Sequence, residues 1–333
     1  MNILGVDLGF MYTKAIAGDS FKIKSVVGGQ RSLAFNKMTL SGANKPVSVK
    51  VDGDMFFVSD LALQQSESIY YSLKPDRFSS ITTKVLLHAI LSMAYPNRET
   101  TVRVVSGLPV SHYELYREQL KQLVLGEHRI EVYHGTDRLS SLITVPHGKF
   151  LPQPIGTLFN KVLDDQGGIK EGKLINRVIG VIDIGFGTTD MLVTESLTPV
   201  ERLTFSTNTA VNHICRLISS KLHEQFGVLL PIYKVEDMLY TGEFVQKGKS
   251  HDITNVIKWA LVSTAEQLLG EIQVKWVNDW EIDHVVFTGG GSILLYPIMS
   301  PNFHSHELMG DSQWSNVRGY IKWGKRSWRN KDA

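Results

Sequence analysis

Residues 180–190 read G-V-I-D-I-G-F-G-T-T-D, and M-L-V-T follows at once. An apolar run stops at Asp183, turns through Gly185 and Gly187, and a second apolar run begins at Met191. That pattern predicts strand, tight turn, strand. Dinucleotide and Walker-type phosphate loops run strand, glycines, helix, and seat the phosphate on the helix N-terminus. No helical period follows Gly187, and the chain has no G-x-x-x-x-G-K-[ST]. Both classes are excluded.

The corner has an echo. Residues 4–9 are L-G-V-D-L-G, and residues 179–185 are I-G-V-I-D-I-G. One D-x-G corner alone is most often an ordinary tight turn. Two at matching positions predict two copies of one subdomain, with the ligand between the copies. Two such hairpins can grip a polyphosphate with backbone N–H groups. Gly9, Gly185 and Gly187 allow close backbone approach. Thr188 and Thr189 are read as hydroxyl donors, and Lys14 as a balance for phosphate charge. Asp7 and Asp183, at strand ends, suit a hydrated Mg²⁺, which keeps several waters and takes one or two carboxylates. Asp190 has the weakest case, since it can as easily bond to the turn. A third turn, Thr288-Gly289-Gly290-Gly291-Ser292, follows the strand D-H-V-V-F. Its glycines would let backbone lie flat against a purine or its phosphates; the plainer reading is a flexible strand–helix turn.

The totals limit the function classes. A length of 333 residues suggests about two domains. Lys plus Arg is 35 against 33 for Asp plus Glu, which argues against non-specific nucleic-acid binding over the whole surface. The single cysteine, Cys215, allows no intrachain disulfide and fits a reducing compartment. In A-V-N-H-I-C-R-L-I it reads as a buried helix residue rather than a nucleophile. The first strand starts at residue 2, which leaves no room for a signal peptide, and no apolar stretch reaches about 18 residues. A cytoplasmic protein without membrane contact is the expectation.

Elsewhere, Gly18-Asp19 and Asp52-Gly53 read as hairpin turns. Helices are expected at 79–95, 111–125, 209–226, 234–247 and 252–277, and one opening within 147–160. Residues 164–177 read as an exposed, glycine-rich boundary. Lys325, Arg326, Arg329 and Lys331, with Trp323 and Trp328, make a basic tail, read as a solvated terminus rather than a DNA or subunit contact.

Six segments in order resemble the actin and heat-shock-chaperone ATPase superfamily, and most of all its plasmid-partitioning ParM/StbA branch. G-V-D-L-G…K resembles the first phosphate loop and D-I-G-F-G-T-T-D the second. V-V-S-G-L-P-V resembles a segment of prokaryotic actin-like proteins, and F-T-G-G-G-S the adenosine loop. P-Q-P-I-G-T-L at 152–158 and S-N-V-R-G-Y at 315–320 resemble the two interdomain connectors. The resemblance implies an α/β fold of two facing actin-like, ribonuclease-H-like domains with mixed sheets and nucleotide in the cleft between them. Domain I would span 1–160 with a small insert at about 18–72. Domain II would span 161–333 with an insert at about 220–260, and the segment from about 312 would return to domain I.

It further implies an ATPase that polymerises into filaments, for plasmid or other DNA segregation, with ATP and Mg²⁺ as cofactors. Partners would be other copies of the chain and a separate DNA-binding adaptor, without direct nucleic-acid binding. Carried over by residue, Asp7 and Asp183 bind Mg²⁺ through water. Gln153 positions the attacking water, because a glutamine is no strong base. Phosphate contacts fall on Gly9, Phe10, Met11, Tyr12 and Lys14, and on Gly185, Phe186, Gly187, Thr188 and Thr189. Adenosine contacts fall on Gly289, Gly290, Gly291 and Ser292, and loosely on Lys234 and Glu236, for which a solvated helix face is the alternative. Met11 and Tyr12 stand where the family usually has small or amide residues, which points to slow hydrolysis. Two other readings stay open: a non-filamentous nucleotide-binding regulatory or scaffold protein, and a small-molecule kinase. The kinase needs a carboxylate base that the Gln153 segment does not supply.

Overall fold

The computed structural model describes residues 2–29, 47–72, 76–134, 137–277 and 281–329. The chain forms two units, Met1–Glu171 with Trp314–Ala333, and Gly172–Gln313.

In the first unit β1 (Asn2–Leu8), β2 (Tyr12–Ala17) and β3 (Asp19–Lys24) form a meander, followed by β4 (Val26–Gly29), β5 (Val47–Val51), β6 (Asp54–Val58), α1 (Ser59–Gln65) and β7 (Ile69–Tyr71). Then come α2 (Ile81–Ala94), β8 (Glu99–Leu108), α3 (Val110–Val124), β9 (Gly126–His134), β10 (Asp137–Pro152) and α4 (Gln153–Val162). The sheet order is β3-β2-β1-β8-β10-β9-β5-β6-β4-β7. β1 pairs parallel to β8 and β8 parallel to β10, while the neighbours outside that trio run antiparallel. The turns expected at Gly18 and at Asp52-Gly53 form, with positive φ at all three residues.

Alternation splits β1 and β8 between two cores. Leu4, Val6, Val102 and Val104 join the buried cluster that includes α2. The opposite face holds Val105 with Tyr320 and Trp328. Those last two belong to the helix Ser315–Trp328, the last of the chain. Glycine is required where this helix crosses. A β-carbon at Gly107 would overlap the Tyr320 hydroxyl, and one at Gly5 would stand 2.9 Å from Val317 O.

The second unit contains α5 (Gly172–Ile175), β11 (Val178–Ile184), β12 (Thr189–Glu195), β13 (Thr198–Pro199), β14 (Phe205–Thr207), α6 (Val211–Phe226) and α7 (Ile232–Thr241). It continues with β15 (Glu243–Gln246), β16 (Lys249–Asp252), α8 (Thr254–Lys275), β17 (His284–Thr288), α9 (Ser292–Met299) and β18 (His306–Leu308); the chain-terminal helix is α10. Its main sheet runs β13-β12-β11-β17-β18, with β14 beside β12. β11–β12 is an antiparallel hairpin and β17 lies parallel on the other side of β11. The trio β12-β11-β17 therefore repeats β2-β1-β8.

Two expectations change, and one is made exact. The helix expected over 234–247 stops at Thr241, because Gly242 takes φ +73° and caps it through Met238 O. Lys247-Gly248, both at positive φ, then turn the hairpin β15–β16. The helix expected to open within 147–160 starts at Gln153, with Pro154 in its first turn, after residues 147–152 have extended β10 beside β8. The basic tail is largely α10. Lys322 donates to the carbonyls of Asn160 and Leu163, Lys325 to Asp165 O and Arg326 to Gly167 O. These cations satisfy the carbonyl end of α4 and the turn after it. Lys331 lies outside the described residues.

Candidate functional site

The two D-x-G corners are one turn built twice. A β-carbon at Gly9 would stand 2.5 Å from Tyr12 O, and one at Gly185 would stand 2.9 Å from Thr188 O. In both cases the obstacle is the carbonyl three residues on. Neither glycine has a positive φ; each is needed because the turn closes on its own Cα. Register adds to the match, since Asp7 pairs across its hairpin with Lys14 and Asp183 with Asp190. Among the described residues, the amides of Phe10 and Met11 in one turn, and of Phe186 and Gly187 in the other, donate to no protein acceptor. Two successive amides aimed out of a turn form an anion-binding concavity.

In the first unit the sequence-predicted residues converge. Asp7 is buried at the end of β1. Its Oδ2 lies 2.8 Å from Lys14 Nζ and its Oδ1 accepts from Gln153 Nε2 at 2.9 Å. Both carboxylate oxygens thus meet the residues expected to serve phosphate and water. Gln153 reaches Asp7 because β10 carries the chain to the same sheet end before α4 begins. Ser25 pins the turn from behind: its Oγ donates to Gly9 O at 2.8 Å and its N–H to Met11 O at 2.7 Å. The Met11 side chain is buried, so it presents nothing to a ligand and leaves recognition to the backbone. Tyr12 is half-buried under the Lys22 ammonium.

In the second unit both threonine hydroxyls donate within the protein. Thr188 Oγ1 donates to Asp190 Oδ2 at 3.0 Å, and Thr189 Oγ1 donates to Thr209 O at 2.7 Å. Each hydroxyl has one proton, and the protein uses both. Thr188 keeps lone pairs for a water or cation. Thr189 anchors the turn to the segment entering α6, as do bonds from Val211 N to Gly185 O and Asn212 N to Phe186 O. Asp190 also accepts from Ser206 Oγ.

Asp183 is buried at the end of β11, and a β-carbon at Gly289 would overlap its Oδ1. Gly289, at φ +86°, keeps that carboxylate open. Buried Asp183 and Asp190 side by side on one strand pair favour a cation nearby. The donor set, carboxylates at strand ends with a hydroxyl oxygen beside them, fits Mg²⁺.

The third glycine turn is more structural than its composition suggests. Gly289 N donates to Ser312 O, and Gly291 N to Ile184 O. A β-carbon at Gly291 would meet Ile184 and Val211 at 2.6 Å. Gly290 alone has room, with Gln313 3.7 Å away. Ser292 Oγ donates to Thr288 O in the first turn of α9. Lys234 is exposed in α7. Glu236 is buried rather than solvated; burial first, and then this carboxylate, pushes the Cys215 thiol up to about 12. Cys215 is a core residue.

Sequence reasoning missed Arg77, Ser25 and the cluster Thr209, Gln267 and Glu271. In that cluster Thr209 Oγ1 and Gln267 Nε2 both donate to Glu271 Oε1. It also missed that the repeat extends one residue further, D-L-G-F at 7–10 against D-I-G-F at 183–186.

Comparison with known proteins agrees with this geometry. Residues 5–156 match the N-terminal domain of actin-like proteins. Residues 181–300 match the C-terminal domain of the archaeal actin homologue, MreB-like. The chain is an actin-like protein. No curated protein matches it in sequence. Among solved structures, the archaeal actin homologue Ta0583 in complex with ADP has a TM-score of 0.79 at 19% identity, covering 98% of this chain and 100% of that one. Apo pSK41 ParM has a TM-score of 0.75 at 20% identity, covering 100% and 99%. A 15-stranded ParM filament from Clostridium botulinum has a TM-score of 0.81 at 20% identity, covering 98% and 99%. At these identities the likeness shows the actin-like fold.

Proposed function

We propose that this chain binds and hydrolyses ATP and assembles with copies of itself into filaments that move DNA through a separate adaptor. The observation that carries the reading is the duplicated turn, which offers backbone amides beside a buried aspartate in each unit. The ADP complex of the archaeal homologue and the filament of the clostridial ParM support nucleotide binding and assembly.

Asp7 and Asp183 are the carboxylates that would hold Mg²⁺ through water, and the ion would neutralise phosphate charge when bound. The chain's own groups do the rest. The amides of Phe10, Met11, Phe186 and Gly187 bind phosphate oxygens. Lys14 supplies a cation that Asp7 holds in place. Gln153, hydrogen-bonded to Asp7, orients a water by its amide, without acting as a strong base. Recognition at the first turn rests on backbone alone, which suits slow turnover. Gly290 provides the open backbone for the base.

Light scattering with ATP and with a non-hydrolysable analogue, run beside phosphate release, tests the reading. Scattering should rise with both nucleotides and decay only where phosphate is released. No rise at any protein concentration would sink assembly, and a rise without phosphate release would sink hydrolysis.

A further inference from the structure

Phe10 and Phe186 occupy the same place in the two turns, yet they are seated differently. Phe186 packs on the apolar core of its unit. Phe10 packs on a cation. The Arg77 guanidinium carbon lies 3.9 Å from the centre of the Phe10 ring and 4.7 Å from that of Phe78. Arg77 is 2% exposed. Its Nη2 donates to Leu8 O at 3.0 Å, the carbonyl that immediately precedes Gly9. One side chain therefore fixes both the last peptide of β1 and the first side chain of the turn. The mount is rigid, because Ser80, the N-cap of α2, donates to Arg77 O from both its N–H and its Oγ. His112 of α3 meets the Phe10 ring edge-on, 6.2 Å between centroids. Burial first, and then the Arg77 charge, hold its imidazole below its ordinary value.

A phenylalanine in this turn does not need a guanidinium, since the second turn manages with apolar neighbours. Burying a charge is costly, and here it is spent directly behind one of two matched anion-facing turns. We propose that Arg77 is a positioning residue for phosphate recognition: through Phe10 and the Leu8 carbonyl it holds the Gly9–Tyr12 turn in its anion-accepting shape, and it biases that turn toward negative charge. The inference rests on the nucleotide-binding reading above.

The test is calorimetric binding of Mg-ATP to the full chain at two salt concentrations, with urea unfolding measured alongside. Arg77→Gln keeps a planar donor for Leu8 and removes the charge. Affinity should fall about tenfold and the salt dependence of Kd should flatten, as for loss of one interacting cation. Phe10→Leu leaves the guanidinium and removes the ring; affinity should fall about threefold with the salt dependence unchanged. Wild-type affinity and salt dependence in a folded Arg77→Gln chain would overturn the proposal. If that variant does not fold, wild-type affinity in Phe10→Leu overturns it instead. Failure of the wild-type chain to bind Mg-ATP at all is a separate result, and it defeats the nucleotide reading itself.

Discussion

Acid should destabilise the first unit through one buried histidine pair. His128 Nε2 lies 2.9 Å from Val124 O. A carbonyl only accepts, so this nitrogen carries the proton and His128 Nδ1 is bare. His88 Nε2, 3.4 Å from that Nδ1, must then be the donor. His88 Nδ1 is left bare and buried, without a partner among the described residues. A proton added there finds no acceptor. Burial, followed by His128 and Lys84, lowers the His88 pKa from 6.5 to about 4, against a small opposing effect of Asp52. His128 is lowered too, chiefly by burial.

Between pH 6.5 and about 4 the unfolded chain takes up the His88 proton and the folded chain does not. Stability is therefore level above pH 6.5 and falls as pH drops toward 4. At 1.36 kcal/mol per pKa unit the His88 loss is up to about 3 kcal/mol. Urea unfolding of the wild type and of His88→Gln, from pH 7.5 to 4, isolates the effect, because the carboxylates titrate alike in both. The wild type should lose about 2–3 kcal/mol more than the variant across that range. Equal pH dependence in the two proteins, or an NMR titration that places His88 near 6.5, would refute the reasoning.

Three other substitutions have expected outcomes. Asp183→Ala should cut phosphate release at least about a hundredfold with the unfolding transition retained, the scale of losing an electrostatic stabiliser; unchanged release in the folded variant would remove Asp183 from the site. Gln153→Ala should slow release about ten- to a hundredfold and leave light scattering with ATP intact, whereas lost nucleotide binding would assign Gln153 to binding instead. In Gly319→Ala the new β-carbon would overlap Gly156 O, where α10 crosses α4. Neither backbone can yield easily, so urea unfolding should show a loss of about 3 kcal/mol or more; a loss under about 1 kcal/mol would mean the helices can separate.

The duplicated corner was legible because its chemistry is local: an aspartate, one residue, a glycine, and strands on both sides. Gln153 was legible only through the resemblance, since its bond to Asp7 spans the sheet and leaves no mark in either segment. Arg77 was invisible for the same reason, a lone arginine in D-R-F whose partners lie near residue 10. For the threonines, a hydroxyl donor can be counted from sequence, but its bond to Asp190 or Thr209 O cannot. The tail misled by composition. Of its four cations, Lys325 and Arg326 find carbonyls in the turn after α4, beside Lys322 on the end of α4 itself. Helix α7 was overrun because its periodicity continues through Gly242, and only the left-handed cap ends it.

The place of α10 also sets an order of events during synthesis. Gly5, Gly107 and Gly156 are shaped for residues 316–320, which leave the ribosome more than 150 residues after the last of them. The second unit, by contrast, is one unbroken segment from Gly172 to Gln313. Although it is encoded later, it is the first that can finish folding. The first unit must wait, with one sheet face bare, for the final helix. Truncation before Ser315 would spare the later segment and leave the earlier one unable to close. A chain released at Gln313 should therefore present a protease-sensitive N-terminal part ahead of a resistant middle.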